Sequence, residues 1–189
     1  MAHKNNSIAA IVLAGGQGSR MGFKDKGLLP FLGRPLILHV TSRINPQVAE
    51  LVISCNRNID QYKKLGFPIV QDERSGFAGP LAGILSAQNK ITSSFCLIVP
   101  CDMPYIPLNI VNRLKSAMGN HEAVTAVVDD MLEPLVSVVE TRCIRSIEDY
   151  LVSGRHSVRG WLETLNGTVA AFEKHPDAFR NINTPEELF

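Results

Sequence analysis

The sequence has almost no excess of charge and no long apolar run. Its 19 basic and 18 acidic residues leave a formal net charge of +1, so no long-range field gathers nucleic acid or an anionic membrane. The opening residues, MAHKNNS, lack the apolar core of a signal peptide, and no later stretch approaches the length that spans a bilayer. We therefore expect a cytoplasmic protein with no nucleic acid or membrane partner, which binds a small charged ligand through a local cluster.

Patterns for metal binding and nucleophilic catalysis are also missing. The four cysteines form neither a Cys-x-x-Cys pair nor a zinc-like group with the five scattered histidines. No Ser-His-Asp or Cys-His arrangement is present either. We predict that all the cysteines are reduced and buried, namely Cys55, Cys96, Cys101 and Cys143.

The sequence does contain an alternation of short apolar runs and segments with helical spacing. Its 189 residues suffice for one well-buried core and are few for two, which predicts a single domain over 1–189. The predicted strands are Ile8–Leu13, Leu51–Ile53, Ile69–Val70, Phe95–Val99, Ala123–Val128 and Leu135–Val139. The predicted helices are Leu36–Ile44, Ile59–Leu65, Leu81–Gln88 and Ile110–Met118. This order indicates an α/β fold with a mostly parallel sheet and helices on both faces.

The last third is less regular. Its spacing predicts two helices and one edge strand, at Cys143–Leu151, Val158–Leu165 and Thr168–Phe172. In the terminal NTPEEL, Thr184 is the predicted N-cap of a helix, Pro185 its first residue, and Glu187 the residue that closes a capping box.

Polar residues follow the first four predicted strands. The exits read Ala14-Gly15-Gly16, Ser54-Cys55-Asn56-Arg57, Gln71-Asp72 and Pro100-Cys101-Asp102. Ligands of open parallel sheets bind beyond the carboxyl ends of the strands. If these strands are parallel, one sheet edge therefore holds a glycine-rich loop, an amide and two carboxylates.

The first of these exits has the composition of a phosphate-binding loop. Glycines at 15, 16 and 18 let backbone N–H groups approach a phosphate, and Arg20 and Lys26 supply positive charge. Met21 breaks the dinucleotide-binding fingerprint, and Leu28 stands where the Walker pattern needs lysine. The loop is thus a phosphate loop of another kind, or else an ordinary turn with solvated charges.

Four motifs carry a family resemblance. The stretch LAGGQGSRMGFKDKGLLPFLGRPL resembles the signature of the molybdenum cofactor guanylyltransferases, and GPLAG, PCDMPYI and NINTPEEL continue the likeness over nearly the whole chain. The first motif is shared in looser form by cytidylyl- and sugar-nucleotide enzymes, whereas NINTPEEL is the more specific mark. The resemblance implies a Rossmann-like nucleotidyltransferase fold.

The resemblance also implies a reaction, its partners and its site. GMP from GTP would be joined to the terminal phosphate of molybdopterin bearing molybdenum, with Mg²⁺ present and pyrophosphate released. A protein that delivers molybdopterin and molybdoenzyme chaperones are further expected partners. By position, the nucleotide would meet Leu13, Ala14, Gly15, Lys26 and Asp72, and Asp102 would hold Mg²⁺.

Two parts of the nucleotide site have alternatives. Related sequences often have Asn where this chain has Ser54, and Asn56 stands two places on, so either residue is a candidate for GTP contact. The backbone at Gly79 and Pro80 could read the guanine edge, or it could form only a strand-to-helix turn. Asp72 could be a solvated loop acid and Asp102 a turn residue, although position favours a functional role for both.

The chemistry expected from the residues is alignment and charge neutralisation. The attacking phosphate is already largely ionised at neutral pH, since its second pKa is about 6, so no general base is needed. Arg20 and Lys26 would stabilise the charge that passes to pyrophosphate, and Asp102 suits Mg²⁺ as a hard oxygen ligand.

The sequence indicates the pterin-binding residues less clearly than the nucleotide-binding residues. Arg155, Ser157, Asn181 and Asn183 are candidate contacts, while Trp161 fits the core at helical spacing. Two other functions stay open at this point. One is a different nucleotidyltransferase, such as a molybdopterin cytidylyltransferase, and the other is a non-catalytic nucleotide-binding module.

Overall fold

A computed structural model describes residues 7–14, 25–72, 79–172, 176–183 and 187. Its main feature is a seven-stranded sheet in the order β5-β4-β1-β6-β8-β7-β9. The strands of this sheet are β1 (Ile8–Leu13), β4 (Glu50–Ser54), β5 (Ile69–Val70), β6 (Phe95–Pro100), β7 (Ala123–Val128), β8 (Met131–Glu140) and β9 (Gly167–Ala171). A separate hairpin pairs β2 (Pro30–Phe31) with β3 (Arg34–Pro35).

Within the described ranges, six α-helices connect or cover these strands. They are α1 (Leu36–Ile44), α2 (Ile59–Lys63), α3 (Pro80–Ala87), α4 (Ile110–Met118), α5 (Ser146–Val152) and α6 (Val158–Leu162). Short 3-10 turns lie at Lys26–Leu28, Asn45–Gln47, Gln88–Lys90, Thr141–Arg145 and Pro176–Phe179. Among the described residues, no helix is both long enough and apolar enough to cross a bilayer.

The sheet is mostly parallel, as predicted. β5, β4, β1 and β6 run in one direction, and β9 is parallel to β7 at the other edge. Only β8 is antiparallel to both of its neighbours, β6 and β7. The reversal follows from a two-residue turn in which Asp129 and Asp130 both have positive φ, 46° and 62°, which is the backbone that a tight hairpin requires.

Helices cover both faces of the sheet, which explains why β1 and β6 are apolar throughout. In β1, Ala10 and Val12 pack toward the core that contains α1 and α4, while Ala9 and Ile11 pack toward the core that contains α3 and α5. A strand buried on both faces has no polar side. Trp161 has no exposed surface and lies in the second core, as predicted.

The remaining differences from the sequence predictions are local. β8 begins four residues earlier than predicted, and the predicted helix from Cys143 divides into a 3-10 turn and α5. All four cysteines are buried and free, as predicted. In the terminal motif, Thr184 and Pro185 lie outside the described residues, and the Glu187 carboxylate accepts a hydrogen bond from the backbone N–H of Asn183 at 2.6 Å.

One carboxylate fastens the start of β4 to the turn before β6. Glu50 accepts hydrogen bonds from the backbone N–H groups of Thr92 and Ser93, both at 2.9 Å, and from their hydroxyls at 3.0 and 2.5 Å. Burial alone would raise the pKa of Glu50, but these hydrogen bonds outweigh it and hold the pKa below its ordinary value of 4.5.

We expect Glu50→Gln to destabilise the protein by about 1.5–3 kcal/mol at neutral pH, because the amide replaces a charged acceptor of several hydrogen bonds. Since the folded-state pKa is lowered, the part of this stabilisation that depends on the carboxylate charge is present above pH 4.5 and is lost as the pH falls through the folded-state value. Urea unfolding of both proteins at successively lower pH measures it. Glu163→Gln, which breaks an exposed ion pair with Arg159, is the control and should cost about 0.5 kcal/mol or less. A Glu50→Gln deficit that does not change with pH would contradict the assignment.

Candidate active site

A cavity of about 220 Å³ opens where the parallel strands end. We call it the strand-end cavity. Its lining residues are Leu13, Ala14, Lys26, Ser54, Asn56, Asp72, Gly79, Pro80, Gly83, Pro100, Cys101, Asp102 and Leu135. The predicted exits of β1, β4, β5 and β6 therefore meet at one edge of the sheet.

Backbone hydrogen bonds continue past the strand ends and fix these exits relative to one another. The N–H of Ala14 donates to the carbonyl of Ser54 at 2.8 Å, and the N–H of Cys101 donates to the carbonyl of Leu13 at 3.0 Å. A third bond, from Cys55 to Val70 at 3.0 Å, joins the exits of β4 and β5. The rim of the cavity is thus tied to the sheet by the same kind of hydrogen bond that joins the strands.

Lys26 and Asp102 are in direct contact at this rim. The Lys26 ammonium forms an ion pair with the Asp102 carboxylate, and the two side chains are 19% and 17% exposed. The ammonium also donates to Oδ1 of Asn183 at 2.8 Å. The Lys26 contact therefore places a positively charged group and a carboxylate at the same point of the cavity rim.

The turn that carries Lys26 is held by α2. Tyr62 donates its hydroxyl to Oδ1 of Asp25 at 2.5 Å, and Asn58 donates its amide to Oδ2 at 3.0 Å. Tyr62 is fully buried beneath the turn, and a Cβ at Gly27 would lie 2.5 Å from its hydroxyl oxygen. The absence of a side chain at Gly27 lets the Lys26 backbone approach α2 this closely.

Asn56 and Asp72 form a two-point pair across the exits of β4 and β5. The Asn56 amide donates to Oδ2 of Asp72 at 2.6 Å, and the Asp72 backbone N–H donates to Oδ1 of Asn56 at 2.9 Å. Asn56 therefore orients Asp72. Ser54 is only 3% exposed and lies deeper in the same wall, so both candidates for GTP contact line the cavity.

Two carboxylate oxygens in the cavity wall are suited to a cation. Among the described residues, Oδ1 of Asp102 and Oδ1 of Asp72 are buried and have no hydrogen-bond partner. A buried charged oxygen without a partner is costly, and Mg²⁺ prefers carboxylate oxygens. Asp102 therefore fits the predicted role of metal ligand. A separate group of Glu122, Glu140 and Cys143 does not need a cation, because Arg142 forms ion pairs with both glutamates.

An irregularity in β8 places Leu135 in the cavity wall. The sequence analysis did not assign this residue to the nucleotide site. Thr125 pairs with Ser137, but the next residue, Ala126, pairs with Glu133, so residues 134–136 of β8 have no partner in β7. Such bulges commonly redirect side chains beside active sites, and Leu135 lines the cavity here. The signal in the sequence was Pro134, because proline inside a strand marks a bulge or an edge.

The same irregularity leaves a second acid near the site. Glu133 is half-buried on β8. Burial raises the pKa of Glu133, and the negative charge of Asp102 raises it further. Glu133 therefore adds a second acidic group whose charge interacts with that of Asp102.

The other wall residues belong to segments that the sequence analysis quoted, but it did not name them as site residues. Pro100 and Cys101 directly precede Asp102, and Gly83 belongs to the quoted GPLAG motif on α3. Gly79 is the N-cap of α3 with φ of 105°, and Pro80 is its first residue. GPLAG thus forms the N-cap and the first turn of α3, and its residues Gly79, Pro80 and Gly83 line the cavity.

The predicted pterin contacts do not line the strand-end cavity. The exposed Arg155 guanidinium lies 4.2 Å from the centre of the Tyr150 ring, and the Ser157 hydroxyl caps α6 by accepting from the N–H of Gly160 at 3.2 Å. Asn181 is half-buried beside Ile182. Asn183 contacts Lys26 and thus belongs to the rim. The predicted residues Gly15, Gly16, Gly18 and Arg20 lie outside the described residues.

Comparison with known proteins decides the family. The MobA-like NTP transferase domain matches residues 10–169, most of the chain. The chain belongs to the MobA-like NTP transferase family. The predicted resemblance and the predicted nucleotidyltransferase activity are confirmed.

Relatives and solved structures agree with this family. The molybdenum cofactor guanylyltransferase of Shewanella putrefaciens is 41% identical over 182 residues, which cover 95% of this chain and 93% of that one. The crystal structure of molybdopterin-guanine dinucleotide biosynthesis protein A from Archaeoglobus fulgidus matches with a TM-score of 0.75 at 26% identity, over 95% of this chain and 94% of that one.

The same fold is found outside this family. The 4-diphosphocytidyl-2C-methyl-D-erythritol synthase of Anaerococcus prevotii matches with a TM-score of 0.71, over 97% of this chain and 95% of that one. At 14% identity this likeness shows the fold alone. The predicted α/β nucleotidyltransferase fold is confirmed.

The contact between α3 and the end of β4 gives a prediction for the wall of the cavity. A Cβ at Gly83 would lie 2.4 Å from the Ser54 hydroxyl oxygen and 3.4 Å from Leu13. Alanine normally stabilises a helix interior relative to glycine, yet here we expect Gly83→Ala to destabilise the protein by about 1–2 kcal/mol. Denaturant unfolding measures the change.

The control is the double variant Ser54→Ala/Gly83→Ala. Removal of the Ser54 hydroxyl takes away the closest contact, so Gly83→Ala should cost at least about 0.5 kcal/mol less in the Ser54→Ala background. Equal costs in both backgrounds would show that the two groups do not meet.

Proposed function

We propose that this nucleotidyltransferase transfers GMP from GTP to the terminal phosphate of molybdopterin bearing molybdenum. The relatives named above support the substrates. The observation that carries the proposal is the meeting of Lys26 and Asp102 at the strand-end cavity, beside a buried carboxylate oxygen that has no partner among the described residues. A triphosphate with a divalent cation needs this combination of charges.

The wall of the cavity suits a nucleoside. Leu13, Ala14 and Pro80 supply apolar surface, and the Asp72 carboxylate supplies a hydrogen-bond acceptor. Guanine carries N–H donors on one edge, so it requires acceptors such as carboxylate or backbone carbonyl oxygens. Ser54 lies in the same wall and offers a hydroxyl.

The reaction needs little covalent chemistry from the protein. An oxygen of the molybdopterin phosphate bonds to the α-phosphorus of GTP, and the bond from that phosphorus to the α–β bridging oxygen breaks. The bonding electrons leave with pyrophosphate, which gains negative charge. Because the attacking phosphate is ionised at neutral pH, the residues of this chain act by alignment and by charge.

Each rim residue then has a distinct role. Lys26 would contact the phosphates and balance the charge on the leaving pyrophosphate. Asp102 would hold Mg²⁺, which when bound neutralises phosphate oxygens and orients them. Arg20 is a further predicted source of positive charge from the glycine-rich loop, together with the backbone N–H groups of Gly15, Gly16 and Gly18.

The pterin side of the proposal concerns the surface beyond this rim. Arg155, Ser157 and Asn181 stay predicted contacts for the anionic pterin. A protein that delivers molybdopterin and molybdoenzyme chaperones that receive the product are the proposed protein partners. The proposed place of reaction is the cytoplasm.

We expect Asp102→Ala to lower turnover by about 10²–10³-fold. GTP affinity should fall by a much smaller factor, because the substitution removes a metal ligand and leaves the residues that contact the nucleoside in place. Lys26→Ala should weaken both turnover and GTP binding. Pyrophosphate release upon addition of molybdopterin measures turnover, and calorimetry measures affinity. Asp60→Ala, which removes a fully solvated acid on α2, is the control. Normal turnover of the Asp102 variant would remove its assignment.

A second experiment tests the base and the metal. Calorimetry with GTP and with CTP, each with and without Mg²⁺, should show binding of GTP that strengthens when Mg²⁺ is present. Tighter binding of CTP would replace the proposal with a cytidylyltransferase. Nucleotide binding without pyrophosphate release in the presence of molybdopterin would indicate a non-catalytic module.

A further inference from the structure

The described C-terminal residues 180–183 contact two residues that line the strand-end cavity, Lys26 and Asp102. The N–H of Ile182 donates to the carbonyl of Asp102 at 2.9 Å, which extends the exit of β6 by one strand-like contact. The Ile182 side chain is only 3% exposed and packs with Phe31 and Leu36. This stretch is therefore anchored both to the residue that would hold the metal and to the start of α1.

Asn183 is held through its backbone, and its side chain contacts a residue that lines the cavity. Its N–H donates to Oε2 of Glu187 at 2.6 Å, and Oε1 of Glu187 accepts from Arg180 at 3.0 Å. Its carboxamide oxygen accepts from the Lys26 ammonium at 2.8 Å. The two residues are 157 positions apart in the chain, so this hydrogen bond joins the last described segments to the first part of the chain beside the cavity.

The hydrogen bond between Lys26 and Asn183 matters because a lysine side chain has no fixed direction unless its ammonium is bound. An ammonium on a flexible four-carbon stem has three rotatable donors and loses rotamer entropy when it is fixed. Asp102 alone would draw the ammonium onto its carboxylate. The neutral Asn183 oxygen takes a second donor without adding charge, so it fixes the direction of the ammonium while leaving its positive charge for a phosphate.

We propose that Asn183 is a positioning residue for Lys26, and that residues 180–183 thereby form part of the triphosphate site. This inference rests on the proposed function. It differs from the role that the sequence analysis gave Asn183, which was direct contact with the pterin. A pterin contact affects the second substrate only, whereas a positioning residue for Lys26 affects GTP binding before any pterin is present.

The experiment is a double-mutant cycle on GTP affinity, measured by calorimetry with Mg²⁺ and without pterin. We expect Asn183→Ala to weaken GTP binding about tenfold, as for the loss of a hydrogen bond to a charged group. In the Lys26→Ala background the same change should alter affinity by less than about twofold, because the group through which Asn183 acts is gone. Asn112→Ala, an exposed asparagine on α4, is the matched control.

Two outcomes would overturn the inference. One is a folded Asn183→Ala protein with unchanged GTP affinity, which would leave Asn183 to the pterin alone. The other is an equal loss of affinity in the wild-type and Lys26→Ala backgrounds, which would mean that Asn183 acts independently of Lys26.

A second variant keeps the inference testable if Asn183→Ala does not fold. Glu187→Ala leaves the Asn183 side chain in place but removes the acceptor of its backbone N–H. It should weaken GTP binding in the same direction, and again only when Lys26 is present. An unchanged affinity for this variant would also count against the inference.

The failure of the proposed function would look different. If the wild-type protein binds CTP rather than GTP, the substrate assignment fails, and the same cycle carried out with CTP still tests the link between Asn183 and Lys26. If the wild-type protein binds GTP and the cycle shows no coupling, the inference fails alone.

Discussion

The parallel pairing of β1 with β4 and β6 is the constraint on which the site depends. Its register sets Leu13 opposite Ser54 on one side and opposite Pro100 on the other. Because parallel strands end on the same edge, three separate chain segments deliver their next residues to one place. That register in turn depends on burial, since β1 packs against helices on both faces and a slip by one residue would exchange its two faces.

The charged groups at this edge of the sheet do not fully compensate one another, so they can interact with a bound ligand. Lys26 compensates one carboxylate, but buried oxygens of Asp72 and Asp102 have no partner among the described residues, and Glu133 adds a further half-buried acid. Polar groups that are buried without partners destabilise a protein. A cation bound by Asp102 and an N–H donor of the nucleotide bound by Asp72 would relieve that cost. The residues that destabilise the free protein would therefore favour the protein with its ligands bound.

The sequence predicted the parts of this site that follow from strand order. Each polar exit could be assigned because a buried parallel strand reads as an unbroken apolar run, and the residue after the run must lie at the ligand edge. The direction of β8 was harder to foresee, because it depends on positive φ at two aspartates, Asp129 and Asp130, which are not typical glycine turn residues. Leu135 entered the cavity through the bulge at Pro134, a feature of pairing that periodicity alone does not show.

Long-range contacts were beyond the reach of sequence patterns for a physical reason. The NINTPEEL motif led to the prediction that Asn183 contacts a substrate, but nothing in its spacing indicated a lysine 157 residues earlier as its partner. That contact exists because Ile182 fills an apolar site beside Leu36 while its backbone extends the β6 exit. Packing thus sets the position of Asn183, and electrostatics then selects Lys26 as the group it meets. A phosphate that binds Lys26 must therefore compete for an ammonium that already contacts the Asp102 carboxylate and the Asn183 amide.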